Sequence, residues 1–218
     1  MFSGAALHND RVTPEETVSP EEKVSDQLEG WLRGEKPKTL GSLIDLFGER
    51  SFAILFVLLM ALPALPLPTG GATHVLEVIV MLLALELIVG RREIWLPQRW
   101  KRLELASASR QKFVNMLLRR IRWFERFSRP RGRWLFGHRL SGVVFGLVVL
   151  ALAITAFLAP PFSGLDTLPS LGVVVLGLGV LLEDFVLAGA GFGIGALGVV
   201  AVIGLGNLVV KGVNQLFG

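Results

Sequence analysis

Two long apolar stretches, each cut by clustered prolines, limit what this chain can fold into more than any other feature. Phe52 to Leu62 is uninterrupted, and Pro63-Ala64-Leu65-Pro66-Leu67-Pro68-Thr69-Gly70-Gly71 follows. Each proline lacks an amide hydrogen and clashes with the preceding turn, so prolines two or three residues apart cannot continue an α-helix. The arm before Pro63 is then about 12 residues, or roughly 18 Å at 1.5 Å per residue. Thr73 to Val89 gives a second arm of about 26 Å by the same rise. A hydrocarbon core is about 30 Å thick, so neither arm makes a comfortable span.

The second stretch has the same grammar. Ser141 to Ala159 is nearly long enough to span, Pro160-Pro161-Phe162-Ser163-Gly164-Leu165-Asp166-Thr167-Leu168-Pro169 interrupts it, and Ser170 to Leu182 resumes. After Glu183-Asp184 a final apolar run extends from Phe185 to Val210, carrying Gly189, Gly191, Gly193, Gly195 and Gly198. Glycines four apart let helices approach closely in lipid, and packing is their plain reading. The breaks are about 94 residues apart, Pro66 matching Pro160 and Gly70 matching Gly164. Broken backbone at membrane depth survives only where protein or a wet cavity surrounds it. Each break is therefore the tip of a re-entrant hairpin or a loop reaching the far surface, and the short arms favour the re-entrant form. Paired broken helices in corresponding halves point to a transport site near the midplane.

Charge is segregated to match. Only 18% of the 218 residues are charged, against 52% hydrophobic, and a soluble domain carries about 25% charged residues. Ten of the eighteen acids lie in residues 1–50, and fifteen of the twenty-two basic residues lie in 91–139. The net charge of +4 thus describes one loop, which the positive-inside bias holds on the cytoplasmic side. With no cysteine, disulfides, thiol catalysis and thiolate metal sites are excluded. No short apolar core with a cleavage site precedes the first run, so insertion is expected to use the internal segments.

Residues 1–38 read as a polar cytoplasmic tail. Thr13-Pro14-Glu15-Glu16 and Ser19-Pro20-Glu21-Glu22 are helix starts, and the second opens a short helix through Val24, Leu28 and Leu32; a solvated tail is the plainer alternative. Residues 39–90 comprise an interfacial helix (Leu40, Leu43, Ile44, Phe47) and the first broken hairpin. The linker 91–139 begins with Arg91, Arg92, Trp95, Arg99 and Trp100, which are interfacial anchors. Within it Phe113, Leu117, Ile121, Phe124 and Phe127 share a helical stripe opposite Arg119, Arg122 and Arg126. Arg120 falls inside the stripe and is expected to snorkel. This basic amphipathic helix suits an anionic leaflet better than nucleic acid. Residues 140–218 form the second broken hairpin and the glycine-rich final helix.

Gly90-Arg91-Arg92-Glu93-Ile94-Trp95-Leu96-Pro97, Phe124-Glu125-Arg126-Phe127 followed by Arg129-Pro130-Arg131, and the paired breaks resemble the ExoD family of exopolysaccharide-synthesis proteins. The resemblance covers about residues 39 to 215. It implies a bacterial inner-membrane protein associated with exopolysaccharide production, and it carries no defined reaction. The chain departs from the family pattern at three polar places: Glu86 stands where glutamine is common, Asp166-Thr167 where an asparagine precedes Leu-Pro, and Glu183-Asp184-Phe185 where Arg-Asp-Gly is usual.

The acids inside or beside the apolar arms are the candidates for chemistry. Glu77 and Glu86, nine residues apart, fall on opposite helix faces and are not a catalytic pair. His74 lies three residues before Glu77 on the same face, so the two could relay protons or make a satisfied polar contact. Glu86 is a proton site or an ion-pair partner of Arg91 and Arg92. Asp166 either faces an ion at half-helix ends or caps the helix near Pro169. Glu183 and Asp184 are ion ligands or a simple membrane boundary. Arg91, Arg92, Arg119, Arg120 and Arg139 could hold lipid head groups or serve as topological anchors. There is no nucleophile elbow or phosphate-binding loop, and the three histidines are too scattered for a metal site. No catalytic residue, cofactor or metal is therefore expected.

The expected fold is an all-α integral membrane protein of the bacterial inner membrane, multi-pass, with two related halves built from re-entrant hairpins broken at Pro63, Pro66, Pro68 and Gly70 and at Pro160, Pro161, Gly164 and Pro169. The expected function is transport in support of exopolysaccharide synthesis, the cargo being a small ion, a proton-coupled solute or a polyprenyl-phosphate carrier. The rival is a non-transporting scaffold for a polysaccharide synthase complex. Expected partners are membrane lipids with anionic head groups, the polysaccharide synthesis machinery and a second copy of the chain, and not nucleic acid.

Overall fold

The computed structural model describes residues 23–35, 37–65, 72–91, 94–95, 101–102, 108–128, 139–160 and 163–217. Among them are eight α-helices and no β-strand: α1 (Val24–Arg33), α2 (Leu40–Phe47), α3 (Ser51–Met60), α4 (Ala72–Ile88), α5 (Ala108–Phe127), α6 (Arg139–Leu158), α7 (Thr167–Leu181) and α8 (Phe185–Phe217). A single 3-10 turn, Gly48–Arg50, joins α2 to α3. Of the break residues, Pro66, Pro68, Gly70 and Pro161 lie outside the described residues.

Two helices are long and apolar enough to cross a membrane, Leu140–Leu158 and Phe185–Leu205. Only 28% and 17% of their residues are buried, whereas a soluble core helix of that composition hides most of its surface. Leu140, Val144, Leu147 and Phe157 on α6 face outward, as do Val186, Phe192, Leu197, Val200 and Ile203 on α8. The shorter arm α3 is the reverse: Phe52 to Val57 and Met60 are all buried.

Glycines fix how the arms meet. A Cβ on Gly191 would lie 2.2 Å from the Leu176 amide nitrogen, one on Gly172 would lie 2.5 Å from the Gly195 Cα, and one on Gly179 would lie 2.3 Å from the Ala188 nitrogen. Gly198 sits against the Pro169 ring. These pairs run α7 antiparallel to α8 with backbones in contact, as small residues permit in lipid. Gly177 meets Ala53 and Val57, while Arg50 pairs with Glu183, so α3 and α7 are antiparallel. Gly142 and Gly146 meet Leu87, Ala84 and Ile88, and the His74 ring lies 5.2 Å from that of Phe157, so α4 and α6 are antiparallel as well. The C-terminal ends of α3 and α6 and the N-terminal ends of α4 and α7 therefore share one end of the bundle. The opposite end holds Arg50, Gly90, Leu140 and the α7–α8 turn.

At that opposite end α1, α2 and α5 form a second layer. Val24, Leu28 and Trp31 are buried, so the chain from Val24 to Arg33 is packed rather than a solvated tail. The amide and hydroxyl of Ser25 donate to Glu125 of α5 at 2.9 and 2.5 Å, a carboxylate placed at the positive end of the α1 dipole. Glu29 pairs with both Arg33 and Arg122. Trp31 Nε1 donates to Ser42 at 3.1 Å, and Ser42 closes a capping box with Thr39 at the start of α2. On α5, Leu118 and Ile121 are buried and Phe124 is partly so; Arg119, Arg122, Trp123 and Arg126 are exposed. Arg120 is exposed too, as a side chain that snorkels out of the apolar stripe must be.

Gly191 and Gly193 separate packing from propensity. Gly191→Ala is expected to lower the thermal unfolding temperature in detergent, because overpacking against backbone costs about 1–3 kcal/mol or more. Gly193→Ala meets nothing within 4 Å and is expected to leave it unchanged or raise it, alanine being favoured in a helix interior by up to about 1 kcal/mol.

Candidate functional site

The two proline breaks bring their acids to one place. Thr73, His74 and Glu77 occupy the first turns of α4, and Asp166 and Ser170 the start of α7. Glu77 is wholly buried, with 0% of its surface exposed. His74 Nδ1 lies 2.7 Å from Glu77 Oε2; with the proton on Nδ1, the imidazole donates to the carboxylate. The other oxygen, Glu77 Oε1, has no hydrogen-bond partner, and neither has the wholly buried Ser170 Oγ. Asp166 is near enough for its charge to act on that of Glu77. No Lys or Arg among the described residues pairs with either acid.

A buried polar atom without a partner costs about 1–3 kcal/mol, and more when charged. Two such atoms, one on α4 and one on α7, are a burden that apolar side chains at these positions would not carry. Asp166 does not offset this as a cap. It stands immediately before α7, yet its side chain makes no capping hydrogen bond. The turn preceding it is closed by Gly164 at φ +68°, by Ser163 Oγ donating to the Pro160 carbonyl, and by the Leu165 amide donating to Ser163 Oγ.

Glu86, Glu183 and Asp184 do a different job at the opposite end of the bundle. Glu86 accepts the Trp95 amide at 3.0 Å, holding the chain as it leaves α4. The α4 end is a Schellman turn: Arg91 N–H donates to the Glu86 carbonyl and Gly90 N–H to that of Leu87, with Gly90 at φ +84°. The α7 end repeats it, Asp184 N–H to the Gly179 carbonyl and Glu183 N–H to that of Val180. Here a glutamate at φ +54° holds the left-handed position, which costs a non-glycine residue about 1–2 kcal/mol. The Arg50–Glu183 ion pair, at 2.5 Å with the arginine 40% exposed, offsets less than about 1 kcal/mol of that. Asp184 contributes more. Its Oδ1 accepts the amides of Val186 and Leu187, capping α8, and its Oδ2 accepts Ser128 Oγ from the end of α5.

Of the arginines proposed for lipid phosphates, Arg119 and Arg120 are exposed on α5, Arg91 is exposed at the end of α4, Arg92 lies outside the described residues, and the Arg139 side chain does too. Sequence reasoning missed Ser170 and Thr73 as members of the site. A serine one helical turn beyond Asp166 was the available signal.

Asp184→Ala is expected to destabilise the protein by about 1 kcal/mol through the lost cap, with Asp184→Asn retaining most of the stability. Glu183→Gly is expected to be neutral or stabilising, because relief of the left-handed strain exceeds the exposed ion pair. Thermal unfolding of the three variants in one detergent checks both outcomes.

The chain matches the family described as "Exopolysaccharide synthesis, ExoD" over residues 24–204. It is 30% identical over 152 residues to an uncharacterized protein of Synechocystis, slr1875, covering 70% of this chain and 71% of that one. It is 25% identical over 172 residues to Protein ExoD of Rhizobium meliloti, covering 78% of this chain and 71% of that one. No solved structure matches it. With its two proline breaks, basic linker and matched span of residues 24–204, the chain belongs to the ExoD family of exopolysaccharide-synthesis proteins.

Proposed function

We propose that this protein is a multi-pass inner-membrane transporter that supports exopolysaccharide synthesis, with Glu77 as the acid that couples transport to an ion. The observation that carries this reading is the wholly buried Glu77, which keeps one carboxylate oxygen unpartnered where two broken helices converge. A charged side chain at bilayer depth costs about 2.5–3.5 kcal/mol on insertion scales, and such residues mark ion and proton pathways.

Depth supports re-entrant hairpins. Pro169 meets α8 beside Gly198, about 20 Å along from Phe185 at 1.5 Å per residue. Helix α8 continues to Phe217, roughly 28 Å further, and stays apolar as far as Val210. The second break thus lies beside the middle of an apolar helix, not at its end.

Two parallel related halves are supported by a shift of 93 residues. It carries the Schellman turn at Gly90 onto the one at Glu183, bond for bond. It also carries the touching pair Ala53 and Gly177 onto Gly146 and Ala84, although the glycine and the carbonyl that it meets exchange places between the two contacts. First arms then pack on second arms of the other half, α3 on α7 and α4 on α6, as an approximate two-fold axis along the bundle requires.

In this orientation the Arg50–Glu183 end is cytoplasmic by the positive-inside bias, and Arg119, Trp123 and Arg126 of α5 rest on anionic head groups. The scaffold alternative draws on the same surfaces but has no use for a buried acid.

Purified protein in proteoliposomes, with a trapped pH-reporting dye and imposed cation or anion gradients, tests the proposal. Wild type is expected to give flux, and Glu77→Gln to abolish it while unfolding at a similar temperature. Unchanged flux in folded Glu77→Gln would remove Glu77 from the mechanism; no flux under any gradient would favour the scaffold.

A further inference from the structure

We infer that Glu77 and Ser170 face each other across the approximate two-fold axis and, with Asp166, form one site for a single small cation, a proton or a sodium-sized ion. The inference rests on the two-halves reading above and extends it to a ligand. Under the same 93-residue shift that superposes the two helix-end turns, Glu77 falls on Ser170 and Thr73 falls on Asp166. Equivalent positions of two halves related by an axis along the bundle lie at equal distances from it, so the pair that points inward meets there.

The two members of that pair are the ones with unpartnered buried atoms, Glu77 Oε1 and Ser170 Oγ. Both are 0% exposed, and no other described residue has a buried side-chain polar atom left without a partner. Each half therefore leaves one oxygen open at the same place. The electrostatics select the sign of the ligand. Glu77 and Asp166 are close enough to interact, and no described Lys or Arg neutralises either. The one base facing them is His74, bound to the other Glu77 oxygen; from α6 the neighbour is the apolar Phe157 ring.

The donor set also limits the charge. Among the described residues no three His, Asp or Glu side chains converge to hold a metal ion, and divalent cations want six or more oxygen ligands with several carboxylates. One carboxylate oxygen, one hydroxyl and a nearby second acid suit a monovalent ion. Burial then couples occupancy to conformation. An ion here neutralises a charge that hydrocarbon surroundings disfavour, so the closed packing of the two halves and the bound ion stabilise each other, and opening the halves releases it.

The chain has no cysteine, so introduced thiols report alone. Glu77→Cys with Ser170→Cys is expected to cross-link under mild oxidant in membranes, read as lost labelling by a maleimide reagent. Glu77→Cys with Gly193→Cys, whose second position faces outward, is not. Failure of the first pair to cross-link, in protein that unfolds normally, overturns the facing geometry.

The ligand is tested in the single Ser170→Cys variant, with Glu77 intact, by the rate of maleimide labelling. Na⁺ is exchanged for choline at constant ionic strength, and pH is varied separately without Na⁺. At about ten times the ion's dissociation constant, occupancy slows labelling about tenfold by mass action. Slowing by Na⁺ identifies a sodium-sized ion and should vanish with Glu77→Gln; because acid also removes the reactive thiolate, the proton is identified by acid slowing in excess of that seen for Ser170→Cys carrying Glu77→Gln. Labelling with neither effect overturns the cation site. Flux lost in Glu77→Gln while Ser170→Cys shows neither effect would sink this inference and leave Glu77 as the coupling acid; flux retained in Glu77→Gln would sink the transport reading itself.

Discussion

Prolines that end a helix inside an apolar run leave amides and carbonyls that hydrocarbon cannot satisfy, and the arrangement of this bundle follows from where those groups go. Exposing them to lipid costs several kcal/mol each. At the second break Pro169 lies against Gly198 of α8, which shields the start of α7. That requires α3 and α7, the shorter arms, to sit inside while α6 and α8 face outward, and their burial patterns have that order. It also requires α7 and α8 to approach until their backbones touch, which only glycine and alanine allow. The glycine pairs are thus a consequence of the breaks: without them α8 could not lie close enough to cover Pro169.

Much of this could be read from the residues. The arms, the breaks and the basic amphipathic helix follow from proline chemistry and from periodicity, both of which are local. The capping box at Thr39 and Ser42 is also local. What escaped is tertiary. Glu125 is the one acid in the sequence of α5, and its function as the cap of α1, across 100 residues, exists only once α1 and α5 meet. Among the five glycines of α8, sequence could not tell Gly191, Gly195 and Gly198, which take neighbours at close range, from Gly189 and Gly193, which face open space.

The fates of the five acids show how position overrides residue type. Glu86, Glu183 and Asp184 lie near the arginine-rich end, and each finds a backbone amide, a hydroxyl or a guanidinium. Glu77 and Asp166 lie at the break end, with no such supply among the described residues. Charge segregation along the chain has thus become charge segregation along the bundle axis. The arginine end is satisfied and capped, which suits an anchored, rigid boundary. The break end is left short of positive charge, which suits exchange with a mobile ion.

That asymmetry bears on the choice between transporter and scaffold. A scaffold is selected for surfaces and stability, and at position 77 leucine would fill the same space in α4 without the burden of a buried carboxylate. By the insertion scale that burden is about 2.5–3.5 kcal/mol, a large fraction of the 5–15 kcal/mol by which folded proteins are stable. Hydrogen bonding to His74 recovers part of it, since a bond to a charged group contributes about 1.5–3 kcal/mol, but His74 is itself a polar group held at the same depth. Ser170 adds a second unsatisfied atom where alanine would add none. Two buried polar atoms that lack hydrogen-bond partners bring no stability to a part that only holds others in place, and they fit the proposed site that binds and releases a charge.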